Sequence, residues 1–292
     1  MMSHNSNDLS PKAGLYLHVG MPKTATTSLQ KFLFAEHPQI SYLGKNIHKK
    51  GPPYPNKSIQ KLIKLTRGAQ AFFTKEELLE IHDLSESARR ERRSLVLSEE
   101  LLVSGKLSNK REAARIFQRH FADCRIVLVI REPIEFVESL YFQYLKGFNL
   151  QNLCYKILKD DFGEPPYLFG INQWLDAMWD HPREPVREYL RYADNLDMYA
   201  SMFGRENVSV LSFSKLKSDF DAFTTDLSRA FDIDVEITRD LLRGRHVNDR
   251  WTCAMIERLK SIQSSRPSRW KYLKWSNGRQ RRKMLGLDGS KT

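Results

Sequence analysis

The most constraining feature of this chain is a strand–loop–helix pattern near its amino end. Residues 14–20 form an apolar run typical of a buried strand, and a helical pattern begins at about residue 25. The connecting loop starts at Gly20 and contains Pro22 and Lys23. Because a helix amino terminus presents backbone N–H groups and the positive end of its dipole, this segment predicts a binding site for an oxyanion.

The loop does not match the Walker A motif of ATP- and GTP-binding proteins. That motif has a second glycine directly before its lysine, whereas no glycine lies between Gly20 and Lys23. An ordinary strand-to-helix turn with a capping threonine is the alternative interpretation. The loop holds more hydroxyl side chains than a cap needs, and each can donate a hydrogen bond to an anion. These side chains are Thr24, Thr26, Thr27 and Ser28.

A second predicted strand ends in an arginine. Residues 125–130 are almost continuously apolar, as expected for a strand buried on both faces of a parallel sheet. Arg131 follows this run, Pro133 suits the first turn of a helix, and Ser139 lies about two turns further on. Since open α/β sheets bind ligands beyond the carboxyl ends of their strands, we expect Arg131 and Ser139 to reach one pocket there.

Predicted strands and helices alternate along the chain, which indicates a parallel sheet covered on both faces, a three-layer α/β/α fold. The predicted strands are 14–20, 95–97, 125–130 and 208–213. The predicted helices are 25–36, 75–92, 109–120, 133–147, 171–179, 187–203, 215–231 and 249–264. Residues 44–57 predict a long loop.

The domain organisation follows from composition. Residues 1–13 are polar and predict a disordered leader, and residues 14–265 predict a single domain. Residues 266–292 form a basic, aromatic carboxyl-terminal segment that carries much of the net charge of +12. Between residues 266 and 283 there are eight Arg or Lys and no acids. This segment is interpreted as a solvated tail, a lid over an anionic ligand, or a contact for nucleic acid or a membrane surface.

Cysteine usage and hydropathy bear on the compartment. Cys124, Cys154 and Cys253 show no metal-ligand spacing and suggest reduced thiols, as in a cytoplasmic protein. No apolar run approaches the roughly 20 residues that span a bilayer. The sequence therefore predicts a cytoplasmic protein without a transmembrane segment.

The two motifs together resemble those of the sulfotransferases that use 3′-phosphoadenosine-5′-phosphosulfate (PAPS). Residues 22–29, Pro-Lys-Thr-Ala-Thr-Thr-Ser-Leu, look like the loop that binds the 5′-phosphosulfate in this P-loop-like fold. Arg131 and Ser139 resemble the pair that binds the 3′-phosphate. The family usually has glycine at the position of Ala25, where a positive φ would suit alanine less well.

The resemblance implies a reaction and a set of roles. A bacterial-type enzyme of this family transfers a sulfuryl group from PAPS to a hydroxyl or amine, releases 3′,5′-adenosine bisphosphate (PAP) and requires no metal. Lys23 would stabilise the oxygen that leaves sulfur. Glu100 is the preferred base and Glu99 the alternate, by resemblance to glycan sulfotransferases, and both are open to interpretation as helix-terminal acids. His18 is the rival base, or a core residue.

Three further residues resemble nucleotide contacts. Phe213 lies where relatives carry an aromatic residue near the adenine, and core packing is the alternative. Arg243 and Arg245 flank a glycine in a loop that resembles the late basic loop at the 3′-phosphate, a role for which Arg279 and its neighbours compete.

The leading interpretation is thus a PAPS-dependent sulfotransferase whose acceptor carries a hydroxyl or amine group, with a carbohydrate as the acceptor that the resemblance to glycan sulfotransferases implies. A nucleotide-dependent kinase of P-loop type is the second interpretation, although the loop lacks the Walker glycine. A non-catalytic nucleotide-binding protein is the third. No cofactor beyond the donor nucleotide is expected.

Overall fold

A computed structural model of the protein describes seven stretches of the chain. These are residues 14–44, 57–65, 74–103, 107–121, 123–146, 170–181 and 186–245. The predicted leader at 1–13, the predicted helix at 249–264 and the basic segment at 266–292 lie outside the described residues.

A five-stranded sheet organises the described residues. Its strands are β1 Leu15–Gly20, β2 Ile40–Tyr42, β3 Ser94–Ser98, β4 Cys124–Ile130 and β5 Val208–Ser212. They lie in the order β2-β3-β1-β4-β5, and every neighbouring pair is parallel. The α/β fold with a central parallel sheet is confirmed.

Alternating strand residues bury both faces of this sheet, because successive side chains of a strand point to opposite faces. Leu15 and Leu17 of β1 pack with Phe117 in one apolar cluster. The intervening Tyr16 packs with Phe231 in a second cluster. Helices thus cover each face, which gives the three layers that the sequence predicts.

The described helices are mostly those expected from the periodicity of the sequence. They are α1 Thr26–Ser28, α2 Lys57–Leu65, α3 Lys75–Arg90, α4 Leu107–His120, α5 Pro133–Lys146, α6 Ile171–Trp179, α7 Val186–Leu190, α8 Tyr192–Phe203, α9 Lys215–Ser218, α10 Phe220–Phe231 and α11 Val235–Leu242. After α1 the chain continues as a π-helix, Leu29–Phe34. A 3₁₀ turn, Glu100–Leu102, follows β3, and another, Arg205–Asn207, precedes β5.

Two predicted helices are divided in the structure. The helix predicted over 187–203 breaks at Arg191, whose ψ of 58° lies outside the helical region. The helix predicted over 215–231 breaks at Asp219, which is extended at φ −152°. The Asp219 carboxylate accepts a hydrogen bond from the N–H of Ala222, so this residue caps α10 instead of continuing a helix through it.

The chain divides into two compact units. The first contains the described residues up to Pro133 and those from Arg187, and it holds the whole sheet. The second runs from Ile134 to Val186 and includes most of α5 together with α6. In the second unit, Trp174 is buried against Tyr141 and Tyr144, with ring centroids 5.6 and 5.2 Å away. The single domain predicted over residues 14–265 stays a prediction.

Candidate anion-binding site

The loop after β1 has an unusual backbone. Lys23 has a φ of 69° and Ala25 a φ of 61°, so two non-glycine residues within three positions are left-handed. Each such residue costs about 1–2 kcal/mol, and such costs concentrate at ligand sites. Turns of this kind direct successive backbone N–H groups into a concavity that favours an anion. The loop therefore has the backbone geometry expected for binding an oxyanion.

Two of the four hydroxyl side chains hold the loop itself. Thr24 Oγ1 donates to the carbonyl oxygen of Met21 at 2.6 Å, and Thr26 Oγ1 donates to the same oxygen at 3.3 Å. Both threonines are buried, whereas Thr27 and Ser28 are half-buried. Of the four predicted donors, Thr24 and Thr26 thus fix the loop, and Thr27 and Ser28 are the more accessible.

Gly20 is required at the start of the loop. A Cβ atom placed there would lie 2.7 Å from Thr26 Oγ1 and 2.9 Å from Cε1 of His18. These separations are shorter than van der Waals contact, so a side chain at this position would displace the loop or the histidine. The absence of a side chain allows the first turn after the loop to approach β1 closely.

Arg131 contacts the loop directly. It follows β4, which is the parallel neighbour of β1, with Gly20 opposite Val129. The Arg131 Nη1 donates to the carbonyl oxygen of Lys23 at 2.9 Å, and the side chain is only 6 % exposed. The structure thus brings together two of the predicted ligand-binding residues, at the carboxyl edge of the sheet.

Strand order supports a site at this edge. The chain fills the positions on one side of β1 with β3 and β2, and then crosses to the other side for β4 and β5. The neighbouring ends of β1 and β4 therefore mark a reversal of strand order, where open α/β sheets form their binding crevice.

The backbone of Arg131 is itself fixed from two sides. The Tyr192 hydroxyl donates to the Arg131 carbonyl oxygen at 2.8 Å, and the Phe213 N–H donates to the Ile130 carbonyl oxygen at 2.8 Å. Burial, together with the nearby Glu132, raises the pKa of Tyr192 to about 12, so this hydroxyl keeps its proton at neutral pH. Tyr192 was not predicted from the sequence, because its contact joins residues 61 positions apart.

Phe213 lies beneath charged groups. The Arg131 guanidinium carbon is 4.8 Å from the centre of the Phe213 ring, and Lys217 Nζ is 5.5 Å from it. The ring is 8 % exposed and belongs to an apolar cluster. Its observed contacts are therefore cation–π and core contacts.

Ser139, the predicted partner of Arg131, lies on α5 in the second unit and is half-buried.

The two candidate acids follow β3 and differ in accessibility. The Glu99 N–H donates to the His18 carbonyl oxygen at 3.1 Å, which continues the pairing of β1 with β3. Glu99 is 1 % exposed, whereas Glu100 begins a 3₁₀ turn and is half-buried. Of the pair, Glu100 is the one that a bound molecule could reach more readily.

His18 is enclosed within the first unit. Burial lowers the pKa of its imidazole to about 3, so the ring is neutral at physiological pH. The Nδ1 atom lies 2.7 Å from Ser98 Oγ, and among the described residues Nε2 has no hydrogen-bond partner. Gln30 Nε2 donates to the same Ser98 hydroxyl oxygen at 3.1 Å. Gln30 and Ser98, neither of them predicted, thus connect the π-helix after the loop to the end of β3.

The late basic loop lies partly outside the described residues. Arg243 directly follows α11 and is exposed, and Gly244 has a φ of 67°. Arg245 forms an ion pair with Glu36 at 3.2 Å, and its guanidinium carbon is 5.7 Å from the centre of the Phe32 ring. Arg245 thus contacts the end of the π-helix that follows the loop.

The described residues bear on metal binding and on membrane insertion. They contain no cluster of three or more His, Cys, Asp or Glu side chains suited to a metal ion. In the part of the chain that the structure describes, no helix is long and apolar enough to cross a membrane. The cytoplasmic location stays a prediction.

No protein-family model matches the chain, and no curated protein matches it. Several solved structures are similar to it. A sulfotransferase from Alicyclobacillus acidocaldarius is 17% identical, with a TM-score of 0.48, over 92% of this chain and 97% of that one. A mouse sulfotransferase solved in complex with PAP is 14% identical, with a TM-score of 0.42, over 82% and 68% of the two chains. The sulfotransferase domain from the curacin biosynthetic pathway is 13% identical, with a TM-score of 0.40, over 82% and 81%.

Proposed function

We propose that the protein is a sulfotransferase that transfers the sulfuryl group of PAPS to a hydroxyl group of an acceptor. One observation carries the proposal: Lys23 lies in a strained loop at the carboxyl edge of the sheet, and Arg131 donates to its carbonyl oxygen. A lysine, left-handed backbone and a buried arginine at one point suit a ligand with clustered negative charge.

In this proposal the loop holds the phosphosulfate end of the donor. The residues from Lys23 to Ser28 surround the 5′-phosphate and the sulfuryl group, with Arg131 toward the 3′-phosphate. The Lys23 ammonium lies beside the oxygen that bridges sulfur and phosphorus. Negative charge grows on that oxygen as its bond to sulfur breaks, so the lysine stabilises the transition state more than the bound donor.

Sulfuryl transfer then proceeds by in-line attack. The acceptor oxygen forms a bond to sulfur on the side opposite the bridging oxygen. The sulfur–bridging-oxygen bond breaks, and PAP leaves with the electron pair of that bond. The acceptor proton passes to a carboxylate, for which we propose Glu100. Sulfate ester and PAP are the products, and charge and atoms balance without a metal.

Accessibility supports Glu100 over the other candidate bases. A base has to contact the acceptor, and Glu100 is half-buried whereas Glu99 is 1 % exposed. His18 is fully buried, and a pKa of about 3 makes its imidazole a poor proton acceptor. The glutamate also resembles the base of glycan sulfotransferases, so a carbohydrate hydroxyl is the acceptor we propose to screen first.

A thermal-shift experiment tests the proposal against nucleotide-dependent kinase activity. PAP in the presence of EDTA is expected to stabilise the protein by about 2.7 kcal/mol at 100 times its Kd. This corresponds to a rise in Tm of roughly 5–10 °C for a protein of this size. Stabilisation by ATP with magnesium and not by PAP would overturn the proposal in favour of a kinase.

A further inference from the structure

We infer that Arg131 is also a positioning residue for the 5′-phosphosulfate, acting through the backbone of Lys23. This inference rests on the proposed function. It extends the role of Arg131 beyond the 3′-phosphate, because the guanidinium contacts the loop at the opposite end of the proposed donor.

The contact lies where the loop is most strained. Lys23 has a φ of 69°, and its carbonyl oxygen is the acceptor of the Arg131 Nη1 hydrogen bond at 2.9 Å. A left-handed conformation of a non-glycine residue persists only when its surroundings hold it. A hydrogen bond from a charged donor is stronger than one between neutral groups, and it holds the peptide group that follows Lys23 in one orientation.

The arginine is held firmly enough to act in this way. Its side chain is 6 % exposed and lies over Phe213, with the guanidinium carbon 4.8 Å from the ring centre. Its own carbonyl oxygen accepts the hydrogen bond from Tyr192. Arg131 is thus fixed at the backbone, along its side chain and at one Nη atom, so the orientation of the Lys23 peptide depends on the end of β4.

The contact between Arg131 and the Lys23 loop would couple binding of the 3′-phosphate to binding of the 5′-phosphate. If Arg131 contacts only the 3′-phosphate, its loss weakens only ligands that carry that group. If Arg131 also orients the Lys23 loop, its loss weakens every ligand that places a phosphate in that loop. Adenosine 5′-monophosphate (AMP) separates the two roles, because it has the adenosine and the 5′-phosphate of PAP but no 3′-phosphate.

The experiment measures AMP and PAP affinities by calorimetry for the wild type, Arg131→Met and Arg125→Met. Arg125 is the control, since it lies on β4, over the ring of Tyr16 at 5.6 Å, at the end of the strand opposite to Arg131. The inference predicts that Arg131→Met weakens AMP binding about tenfold, equivalent to about 1.4 kcal/mol, and weakens PAP binding further. Arg125→Met should change both affinities less than about twofold.

Three results would overturn the inference. Unchanged AMP affinity with weakened PAP affinity in Arg131→Met would restrict Arg131 to the 3′-phosphate. Equal losses in Arg131→Met and Arg125→Met would indicate general loss of positive charge. A wild type that binds neither nucleotide would overturn the proposed function and this inference with it.

A second variant covers the case in which Arg131→Met does not fold. Arg131→Lys keeps the charge but replaces the planar guanidinium with a single ammonium. The inference predicts that Arg131→Lys weakens AMP binding at least about threefold. If Arg131 acted only through its positive charge, Arg131→Lys would bind AMP with wild-type affinity. Circular dichroism and Tm of each variant verify that the fold is retained.

Discussion

Replacing Ala25 by glycine tests the loop geometry on which the candidate site depends. Alanine in a left-handed conformation costs about 1–2 kcal/mol, which glycine avoids. Glycine gains freedom in the unfolded chain, which destabilises the folded state by about 0.4–1 kcal/mol. The half-buried methyl group contributes roughly 0.4 kcal/mol, half the value for a fully buried one. We therefore expect Ala25→Gly to be neutral or stabilising by up to about 1 kcal/mol.

Ala222→Gly is the matched control for this substitution. Ala222 is also half-buried, but it lies in the first turn of α10, a right-handed helix. Glycine there loses the same methyl group and gains the same unfolded-state freedom with no strain to relieve, so it should destabilise by about 1 kcal/mol. Since the shared effects cancel, the two variants should differ by about 1–2 kcal/mol, the cost of the left-handed alanine alone.

Thermal unfolding followed by far-ultraviolet circular dichroism measures the difference. It should amount to about 2–8 °C in Tm, with Ala25→Gly the more stable variant. A Tm of Ala25→Gly as low as that of Ala222→Gly would refute the reasoning, because residue 25 would then not be left-handed and the strained anion loop would not exist.

Three further predictions address the acid pair, the start of the loop and the buried histidine. In a transfer assay with labelled donor, Glu100→Gln should lower turnover at least about 100-fold, while its affinity for PAP stays unchanged. A larger loss of turnover in Glu99→Gln than in Glu100→Gln would contradict the assignment. Gly20→Ala should lower the free energy of unfolding in urea by about 1–3 kcal/mol, because its Cβ would lie 2.7 Å from Thr26 Oγ1. An unchanged urea midpoint would contradict this packing. His18→Gln should reduce the loss of stability between pH 6.5 and pH 5.

The sign of the histidine effect follows from its two pKa values. In the folded protein the pKa of His18 is about 3, and in the unfolded chain it is the ordinary 6.5. Between these values the unfolded chain binds the additional proton, so stability is complete above pH 6.5 and falls as the pH decreases toward 3. From pH 6.5 to pH 5 the loss is between about 1 and 2 kcal/mol, because the slope rises to its full 1.36 kcal/mol per pH unit only below pH 6.5. The same slope in wild type and His18→Gln would show that His18 is not buried.

Much of the fold could be predicted from the sequence because its strands have strong local signals. The runs that became β1 and β4 are almost continuously apolar, which is typical of strands buried on both faces. The strand β2 was missed, since its three residues, Ile40–Tyr42, form too short a pattern at the sheet edge. The break at Asp219 was missed because aspartate fits a helix surface as well as a cap, and only the backbone distinguishes them.

The candidate site was predictable in its parts but not in its contacts. Lys23 and Arg131 follow predicted strands, and parallel strands bring their carboxyl ends to one edge of the sheet. The hydrogen bond from Arg131 to the carbonyl oxygen of Lys23 depends on the adjacency of β1 and β4, which no local pattern records. The burial of His18 likewise depends on rings contributed by Phe34 and Phe231, distant in sequence.

Calorimetric titration of PAP in the presence of EDTA tests the central claim most directly, with Lys31→Met as the control for Lys23→Met. Lys31 lies on the π-helix after the loop and contacts the ring of Phe32 at 4.9 Å. The account predicts one PAP site per chain, with affinity about 10–100-fold lower in Lys23→Met, as expected for loss of a charged hydrogen bond. Lys31→Met should bind PAP within about twofold of the wild type. Absence of PAP binding without magnesium, or wild-type affinity in Lys23→Met, would contradict the account.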